Sequence, residues 1–154
     1  MNIALDRIDR HILNLLQVNN RHSNQYLAEQ VGLSPPACLR RVRRLREAGV
    51  IMADVALVNP KVIGGMLNII VEVEMNRDQL DVSEAFMHKM QTAPEVTQCY
   101  QVTGEVDFLL MVMVRDMESY EAFTRRCLSS DLNLRKFRTL ISLRREKFTT
   151  AIEL

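Results

Sequence analysis

Val31-Gly32-Leu33-Ser34-Pro35-Pro36-Ala37-Cys38-Leu39-Arg40-Arg41-Val42-Arg43-Arg44-Leu45-Arg46 reads as a tight turn, a helix start and an arginine-laden helix. Gly32 supplies a backbone position that adopts positive φ, and Leu33 can plug the corner between two helices. Ser34 is placed to cap the helix. Pro35 and Pro36 suit its first turn, where N–H groups lack intrahelical partners. At about 100° per residue, Cys38, Val42 and Leu45 cluster on one side with Leu39 at the margin. Arg40, Arg43 and Arg44 cluster opposite, flanked by Arg41 and Arg46, and Glu47 follows a turn later. The helix therefore has a core face and a cationic face, the mark of a segment that meets a polyanion.

Working outward, Asp6 can cap an earlier helix, with Asp9 favourable near its positive end. Ile8, Ile12, Leu15 and Leu16 form one apolar stripe on it, and Asn19-Asn20 closes it. Ser23 starts a short second helix carrying Tyr26, Leu27, Ala28 and Val31. Three short helices, with a small Ala28 four residues before Gly32 and Cys38 six after it, match a helix-turn-helix. Such a unit lays the second of its paired helices in the DNA major groove. Arginine suits that task because its planar fork bonds a guanine edge or a phosphate in two places. A charge run alone fits an ordinary solvated helix face equally well; the helix-start chemistry and the Ala28/Gly32/Cys38 spacing favour DNA.

Net charge hides an asymmetry. Residues 1–52 hold eight basic against four acidic side chains, or +4; residues 53–154 hold twelve against fifteen, or −3; together they make the +1 of the whole chain. This split suggests a basic binding module on a neutral or acidic partner domain. No apolar run approaches a membrane span, and Met1 to Arg7 lacks the pattern of a signal peptide. Cys38, Cys99 and Cys127 are odd in number and lack metal-ligand or redox spacing, so they read as small buried apolar residues of a chain in the reducing cytoplasm. No metal site and no cofactor is expected.

Gly49 ends the arginine helix. Ala53 to Val58 reads as one extended hinge strand stopped by Asn59-Pro60, and Gly64-Gly65 follows as the boundary between modules. Beyond it, Leu67, Ile69, Val71, Val73 and Met75 alternate with Asn68, Ile70, Glu72 and Glu74, a strand. Asp81–Met90 reads as a helix, Val96–Thr103 and Val106–Val114 as strands, Met117–Leu128 as a helix and Phe137–Leu143 as the last strand. The order βαββαβ is the ferredoxin-like split arrangement. The fold class is thus α+β: a helix-turn-helix DNA-binding domain (1–52), a hinge strand and linker (53–65), and a ligand-sensing and oligomerisation domain (66–154). Leu109, Met111 and Met113 lie opposite Phe108, Leu110 and Val112, so both sheet faces are apolar. The face that the two helices leave uncovered implies a second copy about a two-fold axis, unless the first segment or the connector folds over it. Asp107, three residues after Gly104, breaks the apolar pattern; a glycine turn beside a carboxylate is a plausible receptor for an α-amino acid, though more often a plain hairpin.

Leu5-Asp6-Arg7-Ile8-Asp9, Val31-Gly32-Leu33-Ser34-Pro35, Cys38-Leu39-Arg40-Arg41-Val42 and Thr103-Gly104-Glu105-Val106-Asp107, taken in order, resemble the Lrp/AsnC ("feast/famine") family of transcription regulators. The resemblance implies a winged or plain helix-turn-helix, a hinge strand and a βαββαβ sensing domain. It implies homodimers assembling into octamers or open helices, double-stranded DNA as partner, and a small amino acid bound between subunits as effector. Ser34, Pro35, Arg40, Arg41 and Arg44 resemble DNA-facing positions, and the helix circumference adds Arg43. Gly104, Val106, Asp107, Met117 and Leu140-Ile141-Ser142 resemble effector positions. Ser142 is polar where an apolar residue is common, and Asp131-Leu132-Asn133 replaces a Pro-Gly-type turn. An enzyme on the same architecture, a sirohaem decarboxylase, is the alternative, as is an effector sensor without DNA binding. His11, His22 and His88 are scattered and form no acid–base constellation, and the dense arginine face argues against both.

Overall fold

In a computed structural model, which describes residues 3–76 and 82–154, Asp6 opens the first helix, α1 (Arg7–Val18), through a capping box. The Asp9 N–H donates to Asp6 Oδ1 at 2.8 Å and the Asp6 N–H to Asp9 Oδ2 at 3.2 Å. Ser23 caps α2 (Asn24–Val31), its hydroxyl accepting from the Tyr26 N–H. Gly32, at φ +68°, turns the chain, and the Leu33 N–H returns to the Ala28 carbonyl at 2.9 Å. The arginine helix is α3 (Pro35–Glu47), closed by Gly49 at φ +71° with the Val50 N–H on the Leu45 carbonyl. Ile12, Leu13, Leu27, Ala28, Cys38, Val42 and Leu45 are the buried core of the three helices. Burial pushes the Cys38 thiol up against the weaker pull of Arg41, so it is an inert core anchor.

Ser34 sits at the N-cap of α3, yet its side chain makes no capping bond. The reason is local: Pro36 has no N–H to give, and the Ala37 N–H already donates to the Ser34 carbonyl at 3.0 Å.

The second unit holds β1 (Leu67–Met75), α4 (Val82–Thr92), β2 (Val96–Gln101), β3 (Phe108–Val114), α5 (Met117–Thr124) and β4 (Leu134–Ile141). Its sheet has the order β2-β3-β1-β4 with every neighbouring pair antiparallel, the ferredoxin-like βαββαβ arrangement. Ile69, Val71, Val73 and Met75 of β1 and Phe108, Leu110, Val112 and Val114 of β3 are buried with Phe86 and Met90 of α4 and Tyr120 and Phe123 of α5. On the opposite face the register lines up Gln98, Met111, Ile70 and Leu140 in one cross-strand row and Tyr100, Leu109, Glu72 and Arg138 in the next. That face is apolar at its centre and no helix of the unit covers it.

Several expectations are corrected. Residues 52–59, which include the expected hinge strand, belong to no helix or strand, and Val55, Leu57 and Val58 are exposed. The run has the side chains of a strand, but a strand exists only where a second backbone pairs with it. Contacts divide the chain into Met1–Leu57 with Lys147–Leu154, and Val58–Glu146; the last residues thus group with the helix-turn-helix. The Gln17 side chain bonds both backbone groups of Ile152, donating to its carbonyl at 3.0 Å and accepting from its N–H at 2.8 Å, and Leu154 packs on the helical core. The helix expected over Met117–Leu128 changes after Thr124 into a π-helical turn, Arg125–Ser129. The last strand begins three residues earlier than expected, and the expected start of α4 at Asp81 lies outside the described residues.

The caps make stability pH-dependent. Asp6 is held below its ordinary 3.8 by the Asp9 N–H and then by the Arg41 guanidinium, and Asp116, which caps α5, by the Ser119 backbone and side chain. A carboxyl depressed in the fold contributes fully above its ordinary value and loses that contribution as pH falls through its folded value. The melting temperature is therefore expected to drop as pH falls below about 3.8, and Asp6→Asn to remove part of that drop. An identical acid limb in the variant and the parent chain would show that this cap is not linked to stability.

Candidate functional sites: a nucleic-acid interface and an effector pocket

The arginines of α3 fall into two kinds. Arg40 and Arg43 are exposed and, among the described residues, have no acidic partner. Arg41 and Arg44 reach back to α1. Arg41 Nη1 donates to Asp6 Oδ2 at 2.7 Å and to Asp9 Oδ1 at 2.9 Å, and Arg44 Nη2 donates to Asp9 Oδ2 at 2.5 Å. The Asp6 carboxylate, then Asp9, pushes the Arg41 guanidinium up. Arg46 turns aside to Asp54, Nε to Oδ2 at 3.1 Å. Leu33, Ala37, Arg40, Arg41 and Arg44 line an open hollow of about 360 Å³ along this face, where the small Ala37 leaves room between arginines. Pro35 is fixed by the Asn24 Nδ2 donating to its carbonyl at 2.7 Å, while the Ser34 side chain has no hydrogen bond to a described residue. The surface offers directed N–H donors and unneutralised positive charge, which suits a phosphate backbone and groove edges.

Sequence reasoning missed Asp9. By its position it is an ordinary first-turn acid, and in the fold it is wholly buried. Its signal is visible only in retrospect: Arg41 and Arg44 are one turn apart, so a single carboxylate can bond both.

The residues expected at an effector site separate into two groups. Gly104, at φ +129°, makes the β2–β3 turn. Glu105 and Val106 line a pocket of about 90 Å³ with Glu72, Glu74, Lys136, Phe137 and Arg138. Glu72 pairs with Arg138 at 2.5 Å and Glu74 with Arg135; Glu105 and Lys136 have no ion pair among the described residues. Asp107 differs from the free receptor expected. Its Oδ2 accepts from the Met75 N–H at 2.7 Å and its N–H donates to the Val73 carbonyl, so it braces the end of the sheet, with Oδ1 outside that bond.

Leu140 and Ile141 pair with Ile70 and Ile69, and the Ser142 N–H donates to the Asn68 carbonyl. Met117 follows the end of β3 whose Val114 pairs with Leu67. Ile141, Ser142 and Met117 belong to the opposite end of the sheet from Asp107, and Leu140 to the row through its middle. Four residues along β1 separate the Leu140 row from the Glu74 row, about 14 Å at the rise of a strand.

Comparison with known proteins agrees with this anatomy. Residues 5–52 match the winged helix-turn-helix DNA-binding family, and residues 68–152 match the Lrp/AsnC ligand binding domain. The chain belongs to the Lrp/AsnC family of transcriptional regulators. It is 43% identical over 150 residues to an uncharacterized HTH-type transcriptional regulator of Sinorhizobium fredii, covering 97% of this chain and 89% of that one. It is 47% identical over 116 residues to the leucine-responsive regulatory protein of Escherichia coli, covering 75% and 71%. Among solved structures, a transcriptional regulator of Neisseria meningitidis in complex with L-Met has a TM-score of 0.88 at 34% identity, covering 97% of this chain and 96% of that one. The chain is accordingly a DNA-binding transcriptional regulator with a ligand-binding domain, and its family consists of regulators, not enzymes.

Proposed function

We propose that this regulator acts as a homodimer, with octamers built from such dimers, whose DNA binding responds to a small amino acid held between subunits. The observation that carries the reading is the separation of the effector residues. Gly104, Val106 and Asp107 stand at one end of the sheet and Met117, Ile141 and Ser142 at the other, with Leu140 in the middle row of the uncovered face. One copy cannot close both groups on one small ligand; two copies meeting through that face can. A small amino acid as effector is further supported by the Neisseria relative, which was solved with L-Met. Ser34, Pro35, Arg40, Arg41, Arg43 and Arg44 are the DNA-facing residues, two helices entering successive major grooves about 34 Å apart. No described helix is long and apolar enough to cross a membrane; a DNA-binding regulator of this kind works in the cytoplasm. A ligand changes the assembly only through different affinity for its two states.

A thermal-shift screen of the twenty amino acids tests this, since a ligand at about a hundred times its Kd adds about 2.7 kcal/mol to apparent stability. One or a few amino acids are expected to raise the melting temperature, and Asp107→Asn to erase the rise. Asparagine keeps an oxygen for the Met75 N–H while removing the charge, so the unliganded variant should melt near the parent chain. A full ligand shift in Asp107→Asn would sink the carboxylate role, and no shift with any amino acid would sink the effector reading.

A further inference from the structure

Asp9 is a charged side chain with no exposed surface. A carboxylate taken out of water persists only when paired and hydrogen-bonded, and both cations that pair with this one come from the arginine helix α3. Arg41 Nη1 lies on Oδ1 at 2.9 Å and Arg44 Nη2 on Oδ2 at 2.5 Å, with the Asp6 N–H also on Oδ2. Arg44 gives one nitrogen to this contact and is still 47% exposed. A guanidinium carries five N–H donors in a fixed plane, so anchoring one corner fixes the direction of the rest. Nε and Nη1 of Arg44 make no other bond to a described residue, and the side chain lines the hollow beside Arg40.

We propose that Asp9 is a positioning residue for sequence-specific DNA binding, acting through Arg44 and Arg41. It holds each guanidinium by one corner, so that the free N–H groups reach DNA already oriented and lose little side-chain freedom on binding. This rests on the reading that α3 faces DNA. The charge of Asp9 works in the opposite sense, because a buried anion subtracts from the positive field that attracts any duplex. Positioning and field therefore pull apart when Asp9 is neutralised.

The test uses the full chain and two duplexes of equal length: one selected from a random library by the unaltered protein, and one of random sequence. Asp9→Asn is expected to bind the selected duplex at least ten-fold more weakly, while binding the random duplex as well as, or better than, the parent. Combined with Arg41→Ala and Arg44→Ala, it should bind the selected duplex no more weakly than that pair of alanines alone. Arg44→Lys, which keeps the charge and leaves Asp9 paired with Arg41, is the variant to use if Asp9→Asn fails to fold. It is expected to lose affinity for the selected duplex only. Equal loss on both duplexes in Asp9→Asn, a further loss when Asp9→Asn is added to Arg41→Ala and Arg44→Ala, or Arg44→Lys binding like the parent would each overturn the proposal. If Arg40→Ala, Arg43→Ala and Arg44→Ala all bind both duplexes normally, the placement of α3 on DNA fails and the proposal with it.

Discussion

Replacing Arg40 and Arg43 together with alanine is expected to weaken DNA binding at least about a thousand-fold near 0.15 M salt. Both side chains are exposed and, among the described residues, unpaired with any acid, so their whole charge is available to phosphate. A homodimer loses four such charges, and each phosphate contact contributes about 0.9 to the slope of log affinity against log salt. If all four meet phosphate, the slope should fall by about 3.6. If either arginine reads a base instead, the slope falls less and sequence preference relaxes at that position. Neither residue packs in the core or holds a partner, so melting should stay within about 0.5 kcal/mol of the parent chain. Binding isotherms at several salt concentrations, beside a melt, check both halves. Unchanged affinity with an unchanged melt would move the DNA surface off this helix.

The second large effect is expected at the open sheet face. Met111 stands mid-row between Gln98 and Ile70, with Leu140 beyond. Glutamate there places a charge at the centre of the surface that the proposed second copy covers. Each desolvated, unpaired carboxylate costs several kcal/mol, and a two-fold interface carries the substitution twice. Met111→Glu should therefore sediment near the single-chain mass of 17.8 kDa, where the parent is expected at a dimer or larger. In a single chain Met111 is half-buried on the open face, away from the Phe86–Phe108 core, so the fold should survive. The amino-acid-dependent melting shift should vanish with the assembly. A variant of parental mass would place the interface elsewhere.

What could be read from the chain depended on how far the deciding partner lies. Asp6 at the start of α1 and Gly32 and Gly49 after α2 and α3 are local chemistry: a cap needs three residues and a helix stop needs five or six, and each formed as read. The alternation in β1 leaves one apolar face to meet the helices, because strand period leaves two choices; β3 is apolar on both faces and takes its facing from its pairing with β1. Ala53–Val58 had the right side chains for a strand and no backbone to pair with. Asp9 was misplaced because its role depends on arginines 32 and 35 residues away. Asp107 was read from its charge, while its Met75 hydrogen bond depends on strand register. Thr149 to Leu154 has no periodicity at all, and its place beside α1 is set by one glutamine and one leucine.

That tail has a consequence for how the molecule is made. The chain leaves the DNA-binding unit after Leu57 and returns to it at Lys147, so the sensing unit is an insertion within the DNA-binding unit. Domains form in order as a chain is synthesised, N-terminal parts first. Here the three helices emerge first, yet the segment that bonds Gln17 emerges after every strand of the sensor. A nascent chain still lacking that segment carries a DNA-binding unit without its last packed residues. Completion of that unit is thus delayed until the sensor has been made.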